Sequence, residues 1–366
     1  MGDTTTETEK MGTDRYRNLQ RQLDQCSMGF PATESGVEIE ILKKLFSAED
    51  ADLFLHMTPL LETAGDIAAR LGAPVAETTE KLAALAARGL LFRLVKDETA
   101  KYGAIPFVHG LLEFQVTRLD RELATMVRQY FREGFGKAMN ASADGFLRTI
   151  PVQKSLSVTH SIAPYDDAAQ ILETNAAKIE VTDCICRKTA GLVDQGCGKP
   201  LEVCFMFGSM GQYYLDHSMG RRIELEEALG LLSAAREAGL VTQPASSQNP
   251  TGMCNCCGDC CGPLSTLNRH PKPAEIVFSN YFAQVDADAC TGCGLCEERC
   301  QMDAIALTAD DVAGIDLDRC IGCGLCVTTC PEEALSLVKK PEKQLKTPPA
   351  NGFEQMMQMA TKRGVL

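Results

Sequence analysis

The strongest constraint on this fold is a cysteine pattern that occurs twice between Tyr281 and Lys340. The stretch VDADACTGCGLCEERC aligns with IDLDRCIGCGLCVTTC thirty positions later, so one cysteine-bearing unit has been used twice. Each copy has the spacing C-x2-C-x2-C-x3-C. In this spacing three thiolates of one loop hold three irons of a cubane, and the fourth cysteine binds the other cluster. The pattern therefore predicts two [4Fe-4S] clusters with crossed ligand sets.

Glycines explain how each cysteine loop can wrap around a cluster. Gly292, Gly294, Gly322 and Gly324 lie between the cysteines of the two copies. Such a loop needs residues with positive φ and backbone N–H groups that point at sulfur, and glycine supplies both most easily. We therefore expect left-handed backbone at these four positions.

With these motifs, Tyr281–Lys340 closely resembles the bacterial two-[4Fe-4S] ferredoxins. The resemblance implies that one cluster is bound by Cys290, Cys293, Cys296 and Cys330. It implies that the other is bound by Cys320, Cys323, Cys326 and Cys300. Pro331 follows the last cysteine as in that family, but Gln301 follows Cys300 and restores a backbone N–H that proline would lack. We expect this difference to change the relative potentials of the clusters and to leave their ligation intact. A zinc ribbon is the alternative for such cysteine runs, and the matched repeat argues against it.

Length and composition limit the remaining possibilities. A chain of 366 residues suits two or three domains. Eighteen cysteines, no signal peptide and no long apolar run predict a cytoplasmic protein without membrane insertion, in which cysteines bind metal. The net charge of −13 disfavours broad binding to nucleic acids or anionic membranes. An acidic surface suits docking to a basic redox partner, although it also serves solubility.

The region 37–108 shows the signals of several short helices followed by two strands. Capping boxes begin at Ser47 and Thr63, and Gly72 follows one of the helices. Apolar runs within 90–107 predict the two strands. Three helices and a two-stranded wing resemble a winged-helix domain, a variant of the helix-turn-helix.

The charges of this domain argue against DNA as its main partner. The candidate recognition helix carries Glu77 and Glu80 beside Lys81 and Arg88, whereas a DNA reader normally presents a clear positive face. We expect a docking or scaffold role, with DNA binding as the alternative.

Three further segments flank the recognisable domains. Residues 1–36 are predicted to be a polar tail or a loosely attached helix. Region 109–140 is predicted to be one long amphipathic helix, Leu111–Met139, whose apolar seam packs on the chain's own body or forms a homodimer. Residues 341–366 are predicted to be a tail with a proline-containing linker and a short methionine-rich helix.

Region 141–275 is predicted to be a cysteine-rich α/β domain that binds metal. A strand at Ile179–Val181, a periodic helix at Glu224–Ala238 and a strand at Leu240–Thr242 support this expectation. Its candidate metal ligands are nine cysteines: Cys184, Cys186, Cys197, Cys204, Cys254, Cys256, Cys257, Cys260 and Cys261.

At least one further iron–sulfur cluster is the favoured occupant of this region, because the chain already carries two such clusters. Zinc is the alternative, since the C-x2-C spacings around Cys257 suit it, and disulfides or free thiols come third. We expect the cluster to draw chiefly on Cys184, Cys186, Cys197 and Cys204, with Cys254–Cys261 supplying a second site or missing ligands. Neighbours such as Cys256 and Cys257 point apart and so belong to different sets. Arg187 either offsets thiolate charge or is an exposed solvating residue.

The whole layout resembles multidomain 4Fe-4S binding proteins of anaerobes. It predicts an α+β multidomain protein that relays single electrons between oxidoreductases, acting as a carrier or redox subunit rather than a stand-alone enzyme. The alternatives are a redox-responsive winged-helix transcription regulator and an iron–sulfur reductase with chemistry at a middle-domain cluster. No dinucleotide, P-loop or nucleophile motif occurs, and the five histidines are scattered, so the sequence assigns no catalytic residue.

Overall fold

A computed structural model describes residues 15–141, 147–152 and 163–365 of the chain. Helices and strands are mixed along the described part, which confirms the α+β class. No helix within these residues is long and apolar enough to cross a bilayer.

The N-terminal region combines helices with a small antiparallel sheet. Its helices are Val37–Leu45, Ala48–Leu55, Ala64–Leu71 and Val75–Ala87, and its strands are Glu62–Thr63, Phe92–Lys96 and Thr99–Gly103, with the last in the centre. Both predicted capping boxes form, because the side chains of Ser47 and Thr63 accept hydrogen bonds from backbone N–H groups at the third helical position. Gly72 then ends its helix in left-handed backbone.

The two terminal segments belong to the core and are not free tails. Residues 15–24 are helical, and Leu19 and Leu23 are completely buried. One helical turn separates these leucines, so they share the face that packs inward. The C-terminal helix Gly352–Lys362 folds back, and Arg363 pairs with a carboxylate of the N-terminal segment. The tail predicted at 1–36 is therefore corrected for residues 15–36, whereas the short methionine-rich helix predicted within 341–366 is present.

The single long helix predicted over 109–140 is also wrong. The structure divides this region into a π-type turn at Phe107–Leu111, a 3-10 turn at Glu113–Gln115, and helices at Arg121–Glu133 and Phe135–Ala141. The Asp120 carboxylate accepts the Leu123 N–H at 2.8 Å and starts a new helix, which Gly134 ends. The seam residues Leu112 and Val116 are buried in the chain's own core.

The middle region is built on one five-stranded sheet. The strand order across it is Arg221–Ile223, Ile179–Asp183, Glu202–Phe207, Gly252–Cys256 and Val241–Pro244. Every neighbouring pair is antiparallel, so the α/β expectation is corrected to α+β. The helices around it are Ala168–Thr174, Ile185–Leu192, Gly208–Asp216, Leu225–Glu237, Gly262–Asn268 and Pro273–Ile276, with a 3-10 turn at Pro164–Asp166.

The C-terminal repeat forms two interlocked halves. Strand Tyr281–Val285 of the first half pairs antiparallel with Leu335–Lys339 of the second. A hairpin of Ile305–Leu307 and Ala313–Ile315 lies between them in sequence. The short helix Leu295–Arg299, the 3-10 turn Val327–Thr329 and, past the repeat, the 3-10 turn Glu342–Gln344 complete this part. The outer strand pairing brings the two cysteine loops together.

The N-terminal and middle regions share one hydrophobic core. The buried hydroxyl of Tyr213 lies 2.8 Å from the carbonyl oxygen of Ala86 and 2.9 Å from that of Leu91. Its ring stacks on Phe114 with the centroids 4.4 Å apart. The single hydroxyl proton of this side chain is thus shared between a carbonyl in the last turn of the Val75–Ala87 helix and a carbonyl just beyond that helix.

This contact predicts a stability change. Tyr213→Phe should lower the free energy of unfolding by about 1–3 kcal/mol, because the shared hydrogen bond is lost and the buried Leu91 carbonyl loses that donor. Denaturant unfolding of reconstituted protein would measure the loss. Tyr16→Phe is the matched control, since that hydroxyl is only half-buried and bonds to one carbonyl, that of Phe46. An equal or larger loss in the control would contradict the special importance of Tyr213.

Candidate metal centres

All four predicted loop glycines have left-handed backbone. Gly292, Gly294, Gly322 and Gly324 have φ values of 67°, 77°, 68° and 76°. A Cβ at Gly292 would lie 2.2 Å from a carbonyl oxygen of the hairpin, and one at Gly322 would lie 2.2 Å from the oxygen of Tyr281. The loops are thus held so close to neighbouring backbone that only glycine fits at these two positions.

Two sulfur-lined cavities occupy the C-terminal repeat. The outer cavity is lined by Cys290, Cys293, Cys296 and Cys330. The inner cavity is lined by Cys300, Cys320, Cys323 and Cys326. The last cysteine of each copy therefore lies beside the first three of the other copy, as crossed ligand sets require.

Backbone N–H groups already point at the sulfurs of these cavities. Ala283 donates to Cys320 Sγ at 3.4 Å, Ala304 to Cys300 Sγ at 3.3 Å, and Ala313 to Cys290 Sγ at 3.5 Å. Such bonds stabilise thiolates that bind iron. Burial raises the pKa of Cys323 to about 12, so this thiol would give up its proton to a metal and not to water. The residues present fit two iron–sulfur clusters.

The nine cysteines of the middle region separate into two sets. A group that we call the three-thiol site contains Cys197, Cys257 and Cys260 with the carboxylate of Asp259. A group that we call the thiol ring contains Cys184, Cys186, Cys261, Cys256, Cys254 and Cys204, in that order around the ring. The neighbours Cys256 and Cys257 fall in different sets.

The three-thiol site has the size of a single tetrahedral ion. Its four ligand atoms all lie within 4.8 Å of one another, and Cys197 Sγ lies 3.8 Å from Cys257 Sγ. A tetrahedron with metal–sulfur bonds of about 2.3 Å has edges of roughly 3.8 Å. Three thiolates and one carboxylate at this spacing fit zinc or another single divalent ion.

The thiol ring is larger and encloses a cavity. Each thiol interacts with two neighbours, and all six line the same cavity. Across the described residues, the three-thiol site is the one group of ligand atoms that are all within 4.8 Å of each other. The ring is therefore too wide for one tetrahedral ion, and its size fits a polynuclear iron–sulfur cluster.

The six ring thiols shift one another's pKa values because they lie close together. Interaction with neighbouring thiols lowers the pKa values of Cys184, Cys254 and Cys261, the last to about 6. The same interaction raises the pKa values of Cys186, Cys204 and Cys256. A ring of closely spaced, interacting thiols suits a metal cluster, which binds them as thiolates.

Arg187 lies between the two sets and is 2 % exposed, so the solvating role considered for it is wrong. Its Nη1 donates to the Asn255 carbonyl at 3.0 Å and lies 3.9 Å from Cys257 Sγ. Burial opposes its charge, but the thiolates, Cys184 first, raise its pKa above the ordinary value. Its Nε and Nη2 have no hydrogen-bond partner among the described residues. Two buried donors beside sulfur fit the sulfides or thiolates of a bound cluster.

The expected ligand set of Cys184, Cys186, Cys197 and Cys204 is corrected at Cys197. The helix Ile185–Leu192 follows the first two cysteines and carries the chain away by about 12 Å over its eight residues. Cys197 therefore reaches the three-thiol site. Thiols from the Cys254–Cys261 segment take its place in the ring.

Sequence reasoning missed three residues at these centres. Asp259 stands between two cysteines of the three-thiol site, so its position in the sequence was an available signal. His109 and Glu113 line the cavity of the thiol ring, and burial raises the pKa of Glu113. Nothing local to those two residues indicates this, because they precede the first ring cysteine by about seventy positions.

Gln301, which the sequence singled out for its backbone N–H, makes its contact here through its side chain. Its Oε1 accepts the N–H of Gly258, within the cysteine-rich segment, at 2.8 Å. Beside it, Arg299 donates to two carbonyls at the end of the Leu225–Glu237 helix. Val152 donates its N–H to the Cys323 carbonyl at 3.0 Å. These contacts fix the inner cavity against the middle region.

Comparison with known proteins agrees with the C-terminal geometry. Residues 282–340 match the family described as 4Fe-4S dicluster domain. That match supports iron–sulfur clusters in this part and leaves most of the chain outside it. No curated protein and no solved structure matches the chain.

The division of the cysteines predicts two separable metal losses. Anaerobically reconstituted protein should carry clearly more than about eight irons, since two cubanes account for eight. Cys204→Ser should lower iron without affecting zinc, because it opens the ring. Cys260→Ser should remove about one zinc per chain and leave iron unchanged, because it opens a mononuclear site.

Metal analysis of the purified variants would check both outcomes. Cys26→Ser is the control, since Cys26 lies outside both sets and should change neither metal. If Cys204→Ser and Cys260→Ser lower the same metal, the nine thiols form one centre and the division is wrong.

Proposed function

We propose that this chain is an iron–sulfur electron-transfer protein that relays single electrons between oxidoreductases. When bound, a [4Fe-4S] cluster accepts or donates one electron with little rearrangement of its ligands. The observation that carries the proposal is that the two cavities of the C-terminal repeat face different surroundings.

The outer cavity is accessible from solvent. Cys293, one of its four cysteines, is exposed, whereas every cysteine of the inner cavity is buried or half-buried. The inner cavity faces the middle region through the Gln301 and Val152 contacts. Electrons would therefore pass between a partner protein at the outer cavity and the cysteine-rich region next to the inner cavity.

The surface around the outer cavity suits a basic partner. Leu295 and Leu307 are 45 % and 37 % exposed beside it. Glu297, Glu298 and Glu332 are exposed around these leucines. An apolar centre with a charged rim is the usual anatomy of a protein interface, and complementary charge mainly sets the rate of encounter.

The inner cavity is connected to the three-thiol site by a short protein path. Cys300 is followed by Gln301, whose side chain bonds to Gly258, the residue between Cys257 and Asp259. One hydrogen bond therefore links the residue after Cys300, a cysteine of the inner cavity, with the residue after Cys257, a cysteine of the three-thiol site. The same short segment carries Cys256 and Cys261 of the thiol ring, so this link supports a relay that continues to the ring, since zinc in the three-thiol site would not take part in electron transfer.

The charged rim gives a kinetic prediction. Glu297→Lys with Glu298→Lys should slow reduction by the cationic methyl viologen radical about threefold or more at low salt, because the attraction becomes repulsion. Anionic dithionite should reduce the same variant faster. Both differences should fade in about 0.5 M salt. Stopped-flow absorbance would measure the rates.

The control variant makes the same change in net charge at two glutamates that lie away from the outer cavity. Glu80→Lys with Glu226→Lys alters two exposed carboxylates of the other regions and should leave both rates close to wild type. Equal slowing by both double variants would show that net charge, and not the rim, controls reduction.

The N-terminal region supports a second candidate, a regulator with a winged-helix-like domain. Its order of helices and its three-stranded sheet fit such a domain. The two cations named for DNA contact are, however, paired: Lys81 lies 2.7 Å from Glu77, and Arg88 lies 2.6 Å from Asp50. Paired cations contribute less to phosphate binding, so we propose a scaffold role for this domain.

Fluorescence anisotropy with labelled duplex DNA would separate the two candidates. We expect no binding at about 0.15 M salt in either redox state, because the exposed helix lacks a positive face. Tight, sequence-specific binding that changes on reduction and is lost in Lys81→Ala would favour the regulator.

A further inference from the structure

A cleft lined by three arginines lies beside the three-thiol site. Arg128 and Arg132 are one turn apart on the Arg121–Glu133 helix, and Arg269 follows the Gly262–Asn268 helix. Two elements that are distant in sequence thus converge on one cleft with like charges.

These arginines have no carboxylate within ion-pair distance in the described part of the chain. Arg128 donates to the Gln195 amide oxygen, and Arg269 donates to the Thr266 hydroxyl at 2.9 Å. Burial, together with the charges of Arg128 and Arg132, lowers the pKa of Arg269. Arg132 and Arg269 are exposed and Arg128 is half-buried, so water reaches all three side chains. Their convergence on one cleft still makes a local positive region in a chain with a net charge of −13, and such a region attracts small anions.

The cleft reaches both metal centres of the middle region. Cys260 of the three-thiol site lines it together with Asp259. Cys186 of the thiol ring also lines it, and Cys186 lines the cavity inside the ring as well. A molecule in the cleft would therefore lie next to a ligand of each centre.

The size of the cleft limits the ligand to a few heavy atoms. Its cavity volume is about 90 Å³, far below the roughly 300–1,000 Å³ of sites for drug-sized ligands. One water molecule needs about 10–15 Å³ of such space, so the cleft has room for an anion of a few heavy atoms.

We propose that this cleft binds a small oxyanion, inorganic or carboxylate, beside the metal centres of the middle region. Guanidinium groups present paired N–H donors that match the paired oxygens of such anions. The proposal goes beyond electron relay, since it gives the chain a small-molecule site where the relay reaches the cysteine-rich region. In this proposal the arginines bind a ligand, whereas in the alternative they only neutralise the charge of metal-bound thiolates.

Titration calorimetry on reconstituted, oxidised full-length protein would test the site, with nitrate, sulfate and acetate as probes in a low-chloride buffer. We expect at least one probe to bind at one site per chain. Arg132→Ala with Arg269→Ala should weaken that binding at least about tenfold, and Arg132→Lys should weaken it less because it keeps the charge.

Arg121→Ala is the matched control. Arg121 lies on the same helix, is exposed and pairs with Asp194, so its loss should leave anion affinity unchanged. Equal weakening by the control would show nonspecific attraction and overturn the proposal. Absence of binding by all three probes up to about 50 mM would also overturn it, since three convergent arginines should bind an anion more tightly than that.

Metal analysis of the double variant distinguishes the remaining reading. If the double variant keeps its iron and zinc but binds the anion more weakly, the site is supported. If the wild type binds no probe and the double variant loses metal, the arginines serve only to compensate the charge of the metal-bound thiolates. Because no electrons flow in the titration, failure of the relay proposal would not change the outcome.

Discussion

The structure depends on how sulfur is buried. Seventeen of the eighteen cysteines line four sites, and only Cys26 stands apart. Thiolates gathered at this density repel one another unless cations neutralise them, and metal binding then contributes directly to folding. The buried Arg187 between two of the sites, with two donors unused, has the charge and the free hydrogen bonds that such a metal-filled interior requires.

The two sites of the C-terminal repeat differ in their access to solvent. The outer cavity presents Cys293 to solvent, and the inner cavity is covered by the middle region. Gln301 is important in this arrangement, because a proline at its position would remove the amide side chain that bonds to Gly258. The departure from the ferredoxin pattern thus has a structural consequence, which is the fixed contact between two sulfur-rich regions.

Local chemistry explains what the sequence could predict. The repeat, its glycines, the two capping boxes and the α+β class depend on residues within a few positions of one another, and the structure shows each of these features. The two sets of four cysteines also line two cavities as the repeat implied, because the crossing is contained in the motif itself.

The amino-acid sequence by itself determined the sulfur chemistry, the loop conformations and the caps, since short-range spacing and φ preference suffice for these. Only the tertiary structure decided which thiols of the middle region meet. The Ile185–Leu192 helix separates Cys197 from its neighbours, and antiparallel strands bring Cys204 beside Cys254. The arginine cleft and the packing of the terminal helices on the core also result from contacts between distant segments, whose free energy no local pattern contains.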